Sequence, residues 1–249
     1  MKPFNVQDIR QYFIDALNNE QFVVDKSGVK TLELINANFI ANEETIFGPV
    51  NYDYVSREIE WYESMSLNVQ DIPGKTPVIW EQVADNAGYI NSNYGWCIWS
   101  PENGSQYDHV KNELTDYPNS RRAIMIYTRP DMWYQYNFDG RSDFMCTNAV
   151  QYVIRDNLLH AIVQMRSNDL VYGFRNDRAW QIHVLEKLAG DLEIGVGNLY
   201  WNAGSLHVYE KHFDLVRSAE FEPDPDKRDW EYDCVGNKVY KGHFTKLYP

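Results

Sequence analysis

The sequence is poor in cysteine and contains none of the short motifs that hold metal ions. Its three cysteines, Cys97, Cys146 and Cys234, form no CxxC pair. An odd, sparse set argues against a disulfide framework and against a cysteine-based zinc site. The histidines include no HExxH, and His207 and His212 are poorly spaced for two ligands on one helix face. We therefore predict no metal site.

Long apolar runs, repeats and linkers are also absent. The N-terminal stretch MKPFNVQDIRQYF lacks the apolar core of a signal sequence. No run approaches the roughly 18 apolar residues of a membrane-spanning helix. These absences predict a protein of a reducing compartment, the cytoplasm, without a membrane partner. We expect a single domain over residues 1–249, with a C-terminal tail, about 221–249, of unassigned structure.

Positive charge is scarce, with 23 Lys and Arg against 36 Asp and Glu and a net charge of −13. A field of that sign repels polyanions, so direct binding to nucleic acid is not expected. The negative net charge still allows one small phosphate to bind in a local basic pocket. The apolar fraction of 44% and the aromatic fraction of 15% exclude a disordered chain.

Helix-like and strand-like patterns alternate along the chain. Ile9, Phe13 and Leu17 recur at helical spacing and predict a helix over about residues 6–20. Similar spacing predicts helices in DYVSREIEWYESM and GFRNDRAWQIHVLEKLAGDL. Strands are predicted in FVVDKSGVKTLEL, in RRAIMIYT as a buried strand, in DFMCTNAVQYVI, in LLHAIVQMRS, and in LYWNAGSLHVY with a turn inside it. The mixture predicts an α+β fold.

Cys146, in the strand-like run DFMCTNAVQ, has two interpretations. A lone cysteine is usually a small core residue. It is alternatively a nucleophile, because arginines near a thiol lower its pKa from about 8.5 and supply thiolate at neutral pH. The candidate arginines are Arg121, Arg122 and Arg166. The residues alone leave both interpretations open.

Other charged groups cluster at predicted strand ends. Arg166 and Ser167, together with the turn that holds Lys26, would make a phosphate cradle, since arginine binds phosphate oxygens bidentately. Arg121 and Arg122 are adjacent, and successive strand residues point to opposite faces, so one domain cannot easily use both at one site. The alternative for this pair is two surface charges.

Three carboxylates remain ambiguous from pattern alone. Glu58 lies on a partly apolar helix face, and periodicity does not separate it from Glu60. Asp169 and Asp177 flank the glycine-containing turn LVYGFRN. Each of these two is as readily a turn residue or helix cap as a functional group.

Taken together, these segments resemble the thymidylate synthase superfamily. RSND followed after four residues by FRND, then GSLHVY, with an upstream SRR and a strand cysteine, is that family's order. The resemblance is strongest to its deoxycytidylate 5-hydroxymethylases from T-even-like bacteriophages. The shared segments, over about residues 20–215, are FVVDKSGVKT, INSNYGW, SRRAIMIYTRP, SDFMCTNAVQYVIRD, MRSNDLVYGFRND and AGSLHVYEKHF. The resemblance implies a large mixed β-sheet flanked by helices, with sheets packing across a homodimer interface.

The resemblance implies roles for the catalytic groups. Cys146 is expected to add to carbon 6 of a pyrimidine, and Glu58 to order water and move protons around the ring. Asp177 stands where thymidylate synthases place an asparagine that reads uracil. A carboxyl group accepts from the amino group of cytosine and, when it carries a proton, donates to the ring nitrogen. Mismatched buried groups cost about 1–3 kcal/mol each, so Asp177 should favour cytosine over uracil by at least about tenfold.

Further residues match family positions that bind ligands. Those matching the grip on the nucleotide are Lys26, Arg166 and Ser167 at the phosphate, His207 and Tyr209 at the sugar 3′-hydroxyl, and Arg121 and Arg122 lent across the dimer interface. Polar Asn168, with Thr147 and Asn148, favours a wet pocket. Those at or near the folate site are Trp80, Tyr94, Asp169, Gly173 and Phe174.

The implied reaction joins deoxycytidine monophosphate (dCMP), 5,10-methylenetetrahydrofolate and water into 5-hydroxymethyl-dCMP, without a metal. Thr147 and Asn148 follow the cysteine where thymidylate synthases have histidine, and the final step is the least encoded. The alternatives are methyl transfer to the same nucleotide, acceptance of CMP, and a non-catalytic nucleotide or RNA binder that keeps the fold. Other nucleotide-precursor enzymes are conceivable partners, in the host cytoplasm if the chain is phage-encoded.

Overall fold

The computed structural model describes residues 4–220 and the backbone of residues 230–232 and 238–240. Helix α1, Val6–Asn18, confirms the first predicted helix. It begins where the Asn5 side chain accepts the N–H of Asp8 at 3.1 Å and the Asp8 carboxylate accepts the N–H of Asn5 at 2.8 Å. This reciprocal pairing satisfies two backbone donors that a helix start leaves free. The rest of the predicted tail over 221–249 lies outside the described residues.

One mixed sheet organises the chain, as predicted. Its strands are β1 Val23–Val24, β2 Lys30–Ile40, β3 Ile124–Ile126, β4 Thr147–Arg155, β5 Leu158–Asp169 and β6 Gly195–Tyr209. They lie in the order β1-β2-β6-β5-β4-β3. Strands β5 and β6 are parallel, and the other neighbouring pairs are antiparallel. Two further strands, β7 Trp230–Tyr232 and β8 Lys238–Tyr240, pair with each other.

Helices cover one face of this sheet. They are α2 Tyr52–Glu63, α3 Val78–Val83, α4 Tyr94–Trp99, α5 Gln106–Asp116, α6 Met132–Gln135, α7 Gly173–Asp191 and α8 Phe213–Glu220. Parallel strands need a crossover connection, and α7 supplies it between β5 and β6. Trp180, Val184 and Leu188 of α7 are fully buried, so this helix closes the core over the site described below.

The opposite face of the sheet stays open in a single chain. Strand β5 buries Leu159, Ala161 and Val163 on the helix side and leaves Gln164 exposed. The predicted buried strand RRAIMIYT is wrong in extent and burial. Strand β3 is a three-residue edge strand, and its Ile126 is 52% exposed on the open face.

Strand β6 runs unbroken through NAGS, which corrects the predicted turn inside LYWNAGSLHVY. A Cβ atom at Gly204 would lie 2.9 Å from the carbonyl oxygen of Arg166 on the neighbouring strand. The glycine therefore serves a close approach of two strands rather than a chain reversal. Cys146 also differs slightly from expectation, because it lies directly before β4 rather than within it.

Candidate active site

Cys146 and Arg166 are held together by the backbone at one end of β4 and β5. The N–H of Arg166 donates to the carbonyl of Cys146 at 2.9 Å. The Arg166 guanidinium donates to the carbonyls of Phe144 at 2.6 Å and Met145 at 2.9 Å, and Nη2 lies 3.7 Å from the Cys146 sulfur. A positive charge is thereby fixed beside the thiol.

The surroundings of Cys146 in a single chain nevertheless favour the neutral thiol. Burial raises its pKa to about 11, and Arg166 opposes that rise. The carboxylates of Asp177 and Asp143 raise it further. Within one chain, the effect of Arg166 on the pKa of this thiol is therefore in the predicted direction but smaller than that of burial.

Arg121 and Arg122 lie far from Cys146 in the same chain. They precede β3, whose pairing begins with Ile124 opposite Gln151. Gln151 is five residues along β4 from Cys146, a separation of about 17 Å at strand spacing. Arg122 pairs instead with Glu113 at 3.0 Å. Within one chain, only Arg166 of the three predicted arginines reaches the thiol.

Asp177 projects from the second turn of α7 into a polar pocket beside Tyr94 and Asn168. The Tyr94 hydroxyl donates to Oδ1 at 3.1 Å, and the Asn168 amide donates to Oδ2 at 2.7 Å. Burial raises the pKa of the Asp177 carboxyl to about 7, and the charge of Glu58 raises it too. Asn168 is itself buried, and its Oδ1 has no hydrogen-bond partner among the described residues.

Glu58 lies on the inner face of α2, whereas Glu60 is exposed, so the structure separates two residues that periodicity could not. Glu58 is only 5% exposed, and burial raises the pKa of its carboxyl to about 7. Its Oε1 accepts from the Tyr54 hydroxyl at 2.5 Å and lies 3.3 Å from the indole nitrogen of Trp80.

The carboxyl groups of Glu58 and Asp177 are coupled through their charges. Each has a pKa near 7, and the negative charge of Glu58 is one cause of the raised pKa at Asp177. Two interacting carboxyls in a buried site do not both ionise readily, so a proton stays available to the pair at neutral pH. Such an arrangement can hold a proton on one group while the other acts as a base.

Asp169 combines a structural and a free oxygen. Its Oδ2 accepts the N–H groups of Tyr172 at 2.7 Å and Gly173 at 3.1 Å, which confirms the interpretation as a turn and cap residue. Its Oδ1 is buried and has no partner among the residues the structure describes. A side chain at Gly173 would come within 3.2 Å of the Asn168 amide, so this glycine keeps the Asn168 position open.

The sugar-side candidates lie on the open face of the sheet. His207 is the strand neighbour of Asp169, and its ring lies 5.0 Å from that of Tyr209. Burial lowers the pKa of His207, partly offset by the charges of Asp169 and Asp25. Ser167 lies on β5 opposite Ser205 of β6.

Lys26 sits in the exposed turn between β1 and β2. Its Nζ lies 3.4 Å from the hydroxyl of Tyr136. Asp25 fixes this turn by accepting the N–H groups of Ser27 at 2.8 Å and Val29 at 2.9 Å. The lysine is therefore presented by a defined turn rather than by a free loop.

Phe174 and Trp80, also predicted at the folate site, are held by contacts within the protein. Phe174 has no exposed surface and packs between Phe39 and Trp201 in the core, with ring centroids 5.8 and 5.2 Å apart. Trp80 donates its indole N–H to the Tyr54 hydroxyl at 2.8 Å. A direct contact with a cofactor is thus unavailable to Phe174, whose influence would act through packing.

Sequence reasoning missed Asp143 and Tyr54. Buried Asp143 accepts from the N–H groups of Asn91 at 2.6 Å and Ser92 at 2.8 Å, and from the Ser92 hydroxyl at 2.6 Å. It thereby joins the segment before Cys146 to the segment before α4, and this long-range contact has no local signal. The contact of Tyr54 does have a local signal, because Tyr54 lies four residues before Glu58 on the same helix.

In the described part of the chain, no helix is long and apolar enough to cross a membrane. The same residues contain no group of three or more His, Cys, Asp or Glu side chains arranged to hold a metal ion.

Comparison with known proteins decides the family. The family model described as thymidylate synthase matches residues 15–226. The chain belongs to the thymidylate synthase family. This family member resembles thermostable thymidylate synthase A from Bacillus subtilis in fold, with a TM-score of 0.69 at 22% identity over 91% of this chain and 87% of that one. The predicted fold and family are confirmed.

Close relatives of this thymidylate synthase family member come from bacteriophages. It is 58% identical over 218 residues to the deoxycytidylate 5-hydroxymethyltransferases of Enterobacteria phages T4 and T2, covering 85% of this chain and 89% of each relative. A thymidylate synthase from Buchnera aphidicola is 24% identical over 78% of this chain and 75% of its own. The family member is therefore an enzyme, a transferase, as predicted.

Proposed function

We propose that the enzyme transfers a one-carbon unit from 5,10-methylenetetrahydrofolate to carbon 5 of dCMP and adds water. The products are 5-hydroxymethyl-dCMP and tetrahydrofolate. One observation carries the choice of substrate, namely a carboxyl at Asp177 that can hold a proton near neutral pH, beside a free acceptor on Asn168. The relatives named deoxycytidylate 5-hydroxymethyltransferase support it.

Cytosine recognition follows from the donors and acceptors in this pocket. The base offers an amino donor at carbon 4 and an unprotonated ring nitrogen at position 3. Protonated Asp177 donates to the ring nitrogen, and an acceptor oxygen receives the amino group. Asn168 gives its amide donor to Asp177, so its buried Oδ1 is directed to a separate donor such as that amino group. Uracil would leave these groups mismatched.

The covalent step uses Cys146. Its thiolate adds to carbon 6 of the pyrimidine, and protonated Asp177 stabilises the negative charge that moves into the ring. Carbon 5 then becomes nucleophilic and bonds to the one-carbon unit of methylenetetrahydrofolate, and tetrahydrofolate leaves when the carbon 5 proton is lost, which gives an exocyclic methylene. Glu58 takes part in removing the carbon 5 proton and in orienting the water that adds to the new exocyclic carbon. Departure of Cys146 restores the aromatic ring and the free enzyme.

One polar group in this region suits a folate co-substrate. A pterin ring presents N–H donors, and the buried Oδ1 of Asp169 is an acceptor without a partner in the described residues. Trp80, Tyr94 and Gly173 are the other residues proposed to shape this site. No step in the scheme requires a metal ion.

The nucleotide is held at its phosphate and sugar. Arg166, Ser167 and Lys26 are proposed to bind the phosphate, and His207 and Tyr209 the 3′-hydroxyl. Arg121 and Arg122, which cannot reach the thiol of their own chain, are proposed to enter the site of a second copy in a homodimer. The added positive charge would also lower the pKa of Cys146 when the dimer and substrate are in place. The setting we propose is the cytoplasm of an infected host.

The test is product analysis by mass after incubation with dCMP and methylenetetrahydrofolate. We expect a nucleotide heavier than dCMP by one CH₂O unit, with no rise in dihydrofolate absorbance. A steady absorbance rise that tracks product would instead show methyl transfer. Replacing dCMP by CMP in the same assay shows whether the 2′ position is read.

The reading of the base is tested separately with Asp177→Asn. An amide matches uracil better than cytosine, so the ratio of kcat/KM for dCMP over that for deoxyuridine monophosphate (dUMP) should fall by at least about tenfold. An unchanged ratio would contradict the role given to Asp177.

A further inference from the structure

Tyr54 contacts the Glu58 carboxyl from one helical turn earlier on α2. Its hydroxyl donates to Glu58 Oε1 at 2.5 Å. The side chain of Asn51 accepts the backbone N–H of Tyr54 at 3.1 Å, which fixes the start of the helix at this point. Residues four apart lie on the same helix face, so the phenol and the carboxyl are aligned by the helix itself.

Trp80 determines the direction in which the phenol donates. Its indole N–H, a donor only, points to the Tyr54 hydroxyl at 2.8 Å. The hydroxyl oxygen is therefore the acceptor in that contact, and its hydrogen is directed to Glu58. Both Tyr54 and Trp80 approach Oε1 of Glu58, which leaves Oε2 as the oxygen that can face a substrate or a water molecule.

The phenol is a donor that does not itself titrate in the working range. Burial and the charge of Glu58 raise the pKa of Tyr54 far above its ordinary value, so it stays protonated. A hydrogen bond to a carboxylate stabilises the ionised form. At Glu58, burial raises the pKa of the carboxyl, and the Tyr54 hydrogen bond is the strongest influence that lowers it.

We propose that Tyr54 is a positioning residue for the reaction, which holds Oε1 of Glu58 so that Oε2 faces the pyrimidine and whose hydrogen bond favours the ionised carboxylate. The inference rests on the proposed function, because it assumes that Glu58 serves the chemistry. Other groups that act on Glu58 or are acted on by it are Tyr62 on α2 and Arg175 and Asp177 on α7. A change at Tyr54 leaves all three in place.

The experiment compares Tyr54→Phe with Tyr52→Phe by folate-dependent release of tritium from carbon 5 of labelled dCMP between pH 5.5 and 9. Tyr52 is a matched control, because it lies on the same helix and donates to an exposed carboxylate, Glu44, at 2.6 Å. Without the Tyr54 donor, Glu58 ionises at higher pH. We expect the acid limb of kcat to move up by about one pH unit, a loss of about tenfold on that limb that shrinks toward pH 9.

A second variant keeps the fold and changes only the strength of the donor. A ring-fluorinated tyrosine at position 54 is a stronger donor, so the acid limb should move down, opposite to the shift in Tyr54→Phe. A purely structural role would not reverse the shift. The KM for dCMP should stay within about twofold in both variants, because neither removes a group placed on the nucleotide.

The outcomes separate this inference from the proposed function. Superimposable pH profiles for wild type and both Tyr54 variants would overturn the inference while leaving the function intact. A uniform loss at every pH would also overturn it. Full tritium release by Glu58→Gln would instead refute the role that the proposed function gives to Glu58.

Discussion

The two ends of the site are built in different ways. At the end proposed to read the base, Tyr94 and Asn168 both donate to Asp177 within a single chain. At the end proposed to bind phosphate, Lys26 is exposed, and Arg122 pairs with Glu113. At the buried end, the carboxyl groups must be enclosed by protein for their pKa values to shift. The charged end must instead stay accessible to an anion. One chain builds the first end by itself, whereas we propose that a second copy completes the other.

The largest expected effect is at the thiol that lies between the two ends. Cys146→Ala should lower tritium release from dCMP by about 10⁴-fold or more, because no other described group is placed to form the covalent bond. Cys97→Ala is the control, since Cys97 is a free cysteine buried in the core. Activity of the Cys146 variant near that of the control would remove the basis of the mechanism.

Mixed dimers test whether Arg121 and Arg122 act in the site of a second copy. An Arg121→Ala, Arg122→Ala double variant and a Cys146→Ala variant should each be inactive alone. After unfolding and refolding together in equal amounts, about a quarter of wild-type activity should return, because half of the dimers are mixed and carry one intact site of two. Arg155→Ala, an exposed arginine of β4, should be active alone. Failure to regain activity would argue that the arginines act within one chain or not at all.

A smaller effect is expected on the free energy of unfolding when Asp143, which supports the buried end, is replaced. Asp143→Ala leaves two backbone N–H groups and one hydroxyl without their acceptor, so the free energy of unfolding should fall by about 3 kcal/mol in urea titrations. Asp214→Ala, which removes an exposed carboxylate paired with Arg217, should change it by less than about 0.5 kcal/mol. Equal losses in the two variants would contradict the tie between these segments.

A further prediction concerns the pH dependence of stability. Because the folded-state pKa of Asp177 is raised to about 7, the folded chain holds a proton that the unfolded chain releases. The contribution is fully present below the unfolded pKa and is lost as pH rises through about 7. Asp177→Asn should remove up to about 1.4 kcal/mol per pH unit of this downward slope. Identical slopes in urea titrations at pH 5, 6 and 7 would show that Asp177 ionises normally.

Prediction from sequence succeeded where a signal is local. The apolar spacing of α1 and α7 and the strand-like runs DFMCTNAVQYVI and LLHAIVQMRS correspond to elements in the structure. It failed where a distant neighbour decides, as at Gly204, which looks like a turn residue but lies against the Arg166 carbonyl. Burial at β3 was misjudged for the same reason, since an apolar run does not reveal whether its face is covered.

The sequence by itself determined the family, the nature of the reactive groups and the order of the strands and helices along the chain, because these depend on residue type and spacing. Only the tertiary structure buried Glu58 while leaving Glu60 exposed, brought Tyr54 and Trp80 onto the same oxygen, and raised two carboxyl pKa values to about 7. A pKa depends on which atoms surround a group in space. That surrounding is created by packing α2, α4 and α7 against one another, and no spacing along the chain encodes it.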